Sequence, residues 1–104
     1  MTILTDENFE EFIAKADKPV LLDVFATWCP PCKMLSPIIE KIAEDYKEKI
    51  IVVKMDLDAC PQTGAKFRVE VIPTVFFFKN GEVADKFVGF KPEEEIKQFI
   101  DNLI

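Results

Sequence analysis

Apolar positions recur at two different periods along the chain, and their alternation predicts its elements. Phe9, Phe12, Ile13 and Ala16 fall at i, i+3, i+4 and i+7, the stripe of one helix face. Thr5 or Asp6 is placed to cap that helix, and Lys18-Pro19 ends it. In Val20-Leu21-Leu22-Asp23-Val24-Phe25-Ala26 both alternate sets are apolar apart from Asp23, which predicts a strand covered on both faces. A second helix is expected from about Pro31 to Lys47, with Met34, Leu35, Ile38, Ile39, Ile42, Ala43 and Tyr46 on one side and a kink at Pro37. Ile50-Ile51-Val52-Val53-Lys54-Met55 reads as another buried strand. Strand, helix, strand implies a parallel pair joined by a right-handed crossover.

The second half changes character. A short helical stretch near Pro61–Phe67 leads to Pro73. Two strands follow, Thr74–Phe78 and Glu82–Val88, joined by the hairpin signal Asn80-Gly81. A last helix begins near Pro92, with Ile96, Phe99, Ile100 and Leu103 at helical spacing. With Thr2–Leu4 as a short first strand the order is β-α-β-α-β-α-β-β-α. The expected class is α/β, a central mixed five-stranded sheet flanked by four helices. No repeat, linker or low-complexity segment divides it, so residues 1–104 are expected to form one domain.

Composition narrows the partners. The net charge of −6, with no basic cluster to offset it, argues against nucleic acid or an anionic membrane. No apolar run approaches the ~20 residues of a membrane helix, and Met1–Glu7 shows no signal-peptide pattern. The expected setting is the reducing cytoplasm, where a C-x-x-C pair is more often catalytic or metal-binding than a structural staple.

That pair stands in Trp28-Cys29-Pro30-Pro31-Cys32-Lys33, where a strand runs into a helix. Positions i and i+3 of a helix lie ~5 Å apart, inside the Cα separation a disulfide needs. A helix N-terminus favours a thiolate, and Cys29 lies at that end with Cys32 one turn inside. Cys29 is therefore expected to attack a substrate disulfide and Cys32 to resolve the mixed disulfide. Both prolines suit a first helical turn and stiffen the loop. The competing metal reading lacks ligands: the chain has no His and only Cys60 as a third thiol, and a haem attachment would need His where Lys33 stands. No metal or cofactor is expected.

Neighbouring residues admit two readings each. Asp23 is either an edge-strand residue pointing at water or a buried carboxylate with a raised pKa, able to take the Cys32 proton. Lys54 is either its charge partner or a lysine reaching to solvent. Pro73 alone reads as a trans proline opening a strand. Trp28 is either core or a shield and docking surface beside the nucleophile. Cys60 is either a small packed residue or a reactive thiol.

Together these residues resemble the thioredoxin family over essentially the whole chain. The matching pieces are Trp28-Cys29-x-Pro31-Cys32-Lys33, Asp23 six residues earlier, Pro37, Lys54 with Asp56 and Asp58, Ile72-Pro73-Thr74, Phe78-Lys79-Asn80-Gly81 and Gly89. The resemblance implies the thioredoxin fold, a cis Pro73 beside the cysteines, and Asp23 as the proton-transfer carboxylate with Lys54 as its partner. It also implies a shallow groove for substrate polypeptide formed by Trp28, Pro30, Pro31, Ile72, Pro73 and Gly89.

The implied activity is reduction of protein disulfides, with disulfide-containing client proteins and a thioredoxin reductase as partners and a monomer as the working form. The alternatives are a dedicated donor to one partner such as a peroxidase, or a non-catalytic binding or chaperone module using the same groove. Three departures from the pattern stand out. Pro30 replaces the usual Gly, which bears on the redox poise. Val71 stands in a segment lacking the usual glycines, adding bulk beside the groove. Phe90 follows Gly89 and adds an apolar contact.

Overall fold

The structure, a computed structural model, describes residues 1–104. Its elements run β1 (Ile3–Leu4), α1 (Phe9–Lys15), β2 (Val20–Phe25), α2 (Pro30–Asp45), β3 (Ile51–Asp56), a 3-10 turn (Leu57–Ala59), α3 (Pro61–Lys66), β4 (Thr74–Lys79), β5 (Glu82–Val88) and α4 (Glu93–Leu103). The strands form one sheet in the order β1-β3-β2-β4-β5, with β1, β3 and β2 parallel and β4 antiparallel to both its neighbours, β2 and β5. This is the mixed five-stranded α/β architecture expected, with the 3-10 turn added.

Period-two alternation in the strands builds two separate cores. Val20, Leu22 and Val24 of β2 face α1 and α3 together with Phe76 and Phe78 of β4. Leu21, Val75 and Phe77 face α2 and α4, where Leu35, Ile39, Ile42, Ile96 and Ile100 cover them. The β2 strand therefore reads as continuously apolar because each alternate set has its own helix layer. Asp23 shares the α2 face with Leu21 and is 1% exposed.

The turn chemistry follows the sequence. Asn80 and Gly81 both take positive φ, +55° and +82°, as a two-residue hairpin turn requires. One irregularity in the pairing between Phe77 and Phe78 leaves Ala84 as the extra residue of a bulge in β5. The α2 helix continues through Pro37, whose missing N–H leaves the Lys33 carbonyl without its usual donor. Across the layer, Lys41 and Lys97 both meet Glu93, at 2.7 and 2.9 Å, and Tyr46 donates to Asp101 at 2.8 Å, which ties α2 to α4.

The expected cap of α1 is corrected in part. Thr5 and Asn8 bond reciprocally, the Thr5 N–H to Asn8 Oδ1 at 2.8 Å and the Asn8 N–H to Thr5 Oγ1 at 3.3 Å. Asp6 instead caps α3, accepting from the Gln62 and Thr63 N–H groups at 3.2 and 2.9 Å and from the Thr63 hydroxyl at 2.6 Å. These bonds, led by the Thr63 hydroxyl, hold the Asp6 carboxyl below the usual range.

The C-terminal end of α3 closes in a Schellman arrangement. The Val69 N–H bonds the Gly64 carbonyl at 2.9 Å, the Arg68 N–H bonds Ala65 at 3.1 Å, and Arg68 sits at φ +53°. That position favours glycine, because an L side chain in left-handed backbone is strained. Arg68→Gly is therefore expected to stabilise the fold by about 1 kcal/mol, seen as a higher urea midpoint at unchanged m.

Candidate active site

The site forms where β2 ends and α2 begins. Cys29 takes extended backbone, φ −95° and ψ 109°, and its own Sγ caps the helix by accepting the Cys32 N–H at 3.2 Å. Pro30 and Pro31 occupy the first helical positions and carry no N–H. The Cys32 N–H is thus the first free donor of the helix, and it points at the Cys29 sulfur. A negative charge on that sulfur gains both the bond and the positive end of the helix dipole.

The two sulfurs are joined in a disulfide across a Cα separation of 5.2 Å, so the pair stands in its oxidised form. Cys29 is 3% exposed, packed with Cys32 and Ala26 and against Ile72, whose carbonyl oxygen lies 3.9 Å from Cys29 Sγ. The Ile72-Pro73 peptide is cis, which settles in favour of the resemblance over the trans proline that Pro73 suggests alone. The Gly89 N–H bonds the Pro73 carbonyl at 2.8 Å, with Gly89 at φ +87°, and this brings the end of β5 beside the proline. Pro30 and Pro31 are exposed on one side, and Val71, Val88 and Phe90 add exposed apolar surface on the other.

Trp28 is 64% exposed, so it is not a core residue. Its indole N–H donates to Asp58 Oδ2 at 2.8 Å, a contact across thirty positions of sequence that no local pattern reveals. Asp56 supports this corner by accepting the Asp58 N–H at 3.0 Å.

Behind the disulfide lies a cavity of about 240 Å³ lined by Asp23, Cys32, Lys33, Ser36 and Lys54 among others. Cys32, and not Cys29, faces this space. Asp23 and Lys54 are register partners in adjacent strands. Burial pushes the Asp23 carboxyl up from 3.8 to about 6, and the Lys54 charge offsets only part of that. Asp23 Oδ1 has no hydrogen-bond partner in the protein. The Lys54 ammonium bonds the Ser36 hydroxyl and lies 5.9 Å from the Phe25 ring centre. Ser36 carried no signal in the sequence, since a lone serine within a helix is ordinary.

Cys60 lies apart from this site. It is buried against β1, its Sγ 3.6 Å from the Leu4 carbonyl oxygen, and burial pushes its thiol up. It is the packed residue of the two readings.

The thioredoxin family model matches residues 1–102. The chain is similar to the thioredoxin of Staphylococcus haemolyticus, 48% identical over 94% of this chain and 92% of that protein. It is 46% identical to the thioredoxin of Rickettsia bellii, over 97% and 96% of the two chains. To thioredoxin C-2 of Corynebacterium nephridii it is 40% identical, over 96% and 93%. No helix is long and apolar enough to cross a membrane. With the redox pair at the start of α2 and the match running the length of the sheet, the chain belongs to the thioredoxin family and is a thiol–disulfide oxidoreductase that reduces protein disulfides.

Proposed function

We propose that residues 1–104 act as one domain in which Cys29 is the nucleophile and Cys32 the resolving thiol. The carrying observation is the asymmetry of the pair: the Cys29 sulfur receives the helix N–H, whereas Cys32 faces the cavity that holds Asp23. The Cys29 thiolate attacks one sulfur of a substrate disulfide. That S–S bond breaks, and the leaving thiolate takes a proton from water. Cys32 gives its proton to Asp23, directly or through a water in the cavity, and attacks Cys29 Sγ. The mixed disulfide breaks and the Cys29–Cys32 bond forms. The second sulfur leaves as a thiolate that takes its proton from water, while Asp23 returns its own to solvent. The substrate departs with two thiols, reduced by two electrons.

Trp28, Pro30, Pro31, Ile72, Pro73, Gly89 and Phe90 are the surface on which the client polypeptide lies. The cis proline and the Gly89 bond hold its floor, and Asp58 fixes the Trp28 ring at its side. Lys54 moderates the charge on Asp23. A thioredoxin reductase recharges the oxidised pair, and the protein works in the cytoplasm as a monomer.

The electron donor is tested by mixing the oxidised protein with a thioredoxin reductase and its own electron source, then counting free thiols. Two new accessible thiols per chain are expected. A pair that dithiothreitol reduces and the reductase leaves oxidised would remove the reductase from this scheme.

A further inference from the structure

Lys54 stands beside Asp23 in the neighbouring strand, yet its ammonium is bonded elsewhere. It donates to the hydroxyl of Ser36, one turn beyond Cys32 on α2, and Ser36 Oγ in turn donates to Glu40 Oε2 at 3.4 Å. The carboxylate that a lysine would ordinarily seek is left with an unpartnered oxygen, Asp23 Oδ1, although both side chains line one cavity. An ammonium on a flexible four-carbon stem could reach either acceptor. The other groups facing Asp23 are few. Cys32 and Lys33 come from α2, Val75 of β4 on the far side brings no charge, and Asp56 of β3 is engaged by the Asp58 N–H.

We propose that Ser36 is a positioning residue for disulfide exchange: its hydroxyl tethers Lys54 and holds the ammonium back from Asp23, so that Asp23 stays a strong enough base to take the Cys32 proton. The step concerned is a proton transfer alone. Cys32 loses its proton to the carboxylate, leaving a thiolate and a neutral acid, and no electron moves until the thiolate attacks. A lysine paired directly with Asp23 would stabilise the charged carboxylate and weaken it as an acceptor. The proposal rests on the reading of Asp23 as proton acceptor.

The test follows the Asp23 carboxyl titration by carbon NMR in the oxidised protein, where neither Cys29 nor Cys32 titrates. Ser36→Ala is expected to lower the midpoint by about one pH unit as Lys54 swings to Asp23. Ser36→Thr keeps the hydroxyl and should titrate with the parent protein. Lys54→Met should raise the midpoint, and adding Ser36→Ala to it should change nothing further. Resolution of a preformed mixed disulfide near neutral pH should slow about threefold in Ser36→Ala.

An unshifted or raised midpoint in Ser36→Ala overturns the tether. So does a Ser36→Ala effect that persists without Lys54, because the serine would then act by another route. If Asp23→Asn resolves with the parent rate and pH profile, the proton-acceptor reading fails and takes the role of Ser36 in exchange with it. The titration arms report the tether itself independently of that result.

Discussion

Replacing Cys29 with Ser is expected to take disulfide reduction to background, a loss on the order of 10⁴-fold or more, because a hydroxyl offers no nucleophile of comparable strength near pH 7. Cys32→Ser should behave differently. Its Cys29 still receives the backbone N–H of residue 32 and still attacks, but nothing resolves the adduct. A mixed disulfide with the client should accumulate to about one per chain, visible by intact mass and released by dithiothreitol. If Cys29→Ser accumulates the adduct instead, the two roles are reversed. Continued turnover by Cys29→Ser would sink the dithiol mechanism altogether.

Asp23→Asn is expected to do two opposite things. At neutral pH it removes the proposed acceptor for the Cys32 proton, and resolution should slow on the order of 10²-fold, the low end of what a positioned base contributes. The parent rate should climb as pH rises through about 6, where Asp23 loses its proton, and the variant should lack that limb. Stability should move the other way. The Asp23 pKa is raised on folding, from 3.8 to about 6, so the folded state binds this proton more tightly than the unfolded chain.

The favourable contribution is therefore complete below about pH 4 and is lost as pH rises through 6. Above that range the buried charge costs about 3 kcal/mol, two pKa units or slightly more at 1.36 kcal/mol each. Asparagine carries no such charge, and the unpartnered Oδ1 it replaces was already without a bond. Asp23→Asn should gain about 2 to 3 kcal/mol at pH 8 and almost nothing near pH 4. Urea unfolding at the two pH values measures this, and a gain independent of pH would show that the cost is not the ionised carboxylate.

What could be read in the sequence was whatever repeats or interrupts a pattern. Asp23 announces itself as the one polar position in an apolar strand, and Asn80-Gly81 demands its turn through backbone geometry alone. The cysteine spacing and the strand-to-helix junction place the redox pair by local pattern alone. The contacts between distant segments were not legible. Asp6 sits three residues before α1 and looks like its cap, yet it reaches 56 positions along the chain to the N-terminus of α3. Trp28 finds Asp58, and Lys54 finds Ser36, only because the sheet order places β3 beside β2 under α2. Pro73 shows the limit of local reading most plainly. Nothing within the tripeptide fixes its isomer, and the resemblance to related chains, not the residue's own preference, carried the correct expectation.

The β4 strand has a further consequence, for aggregation. Val75-Phe76-Phe77-Phe78 is an uncharged, proline-free run with strong β preference, the composition that stacks into cross-β fibrils when its edges are free. In the fold both edges are occupied, by β2 and by β5. The outer guard is an edge strand that carries Glu82, Asp85 and Lys86 and is bent by a bulge, features that discourage a second chain from adding to it. Fraying of the β4–β5 hairpin, well short of global unfolding, is thus the event that would bare this run to a second chain.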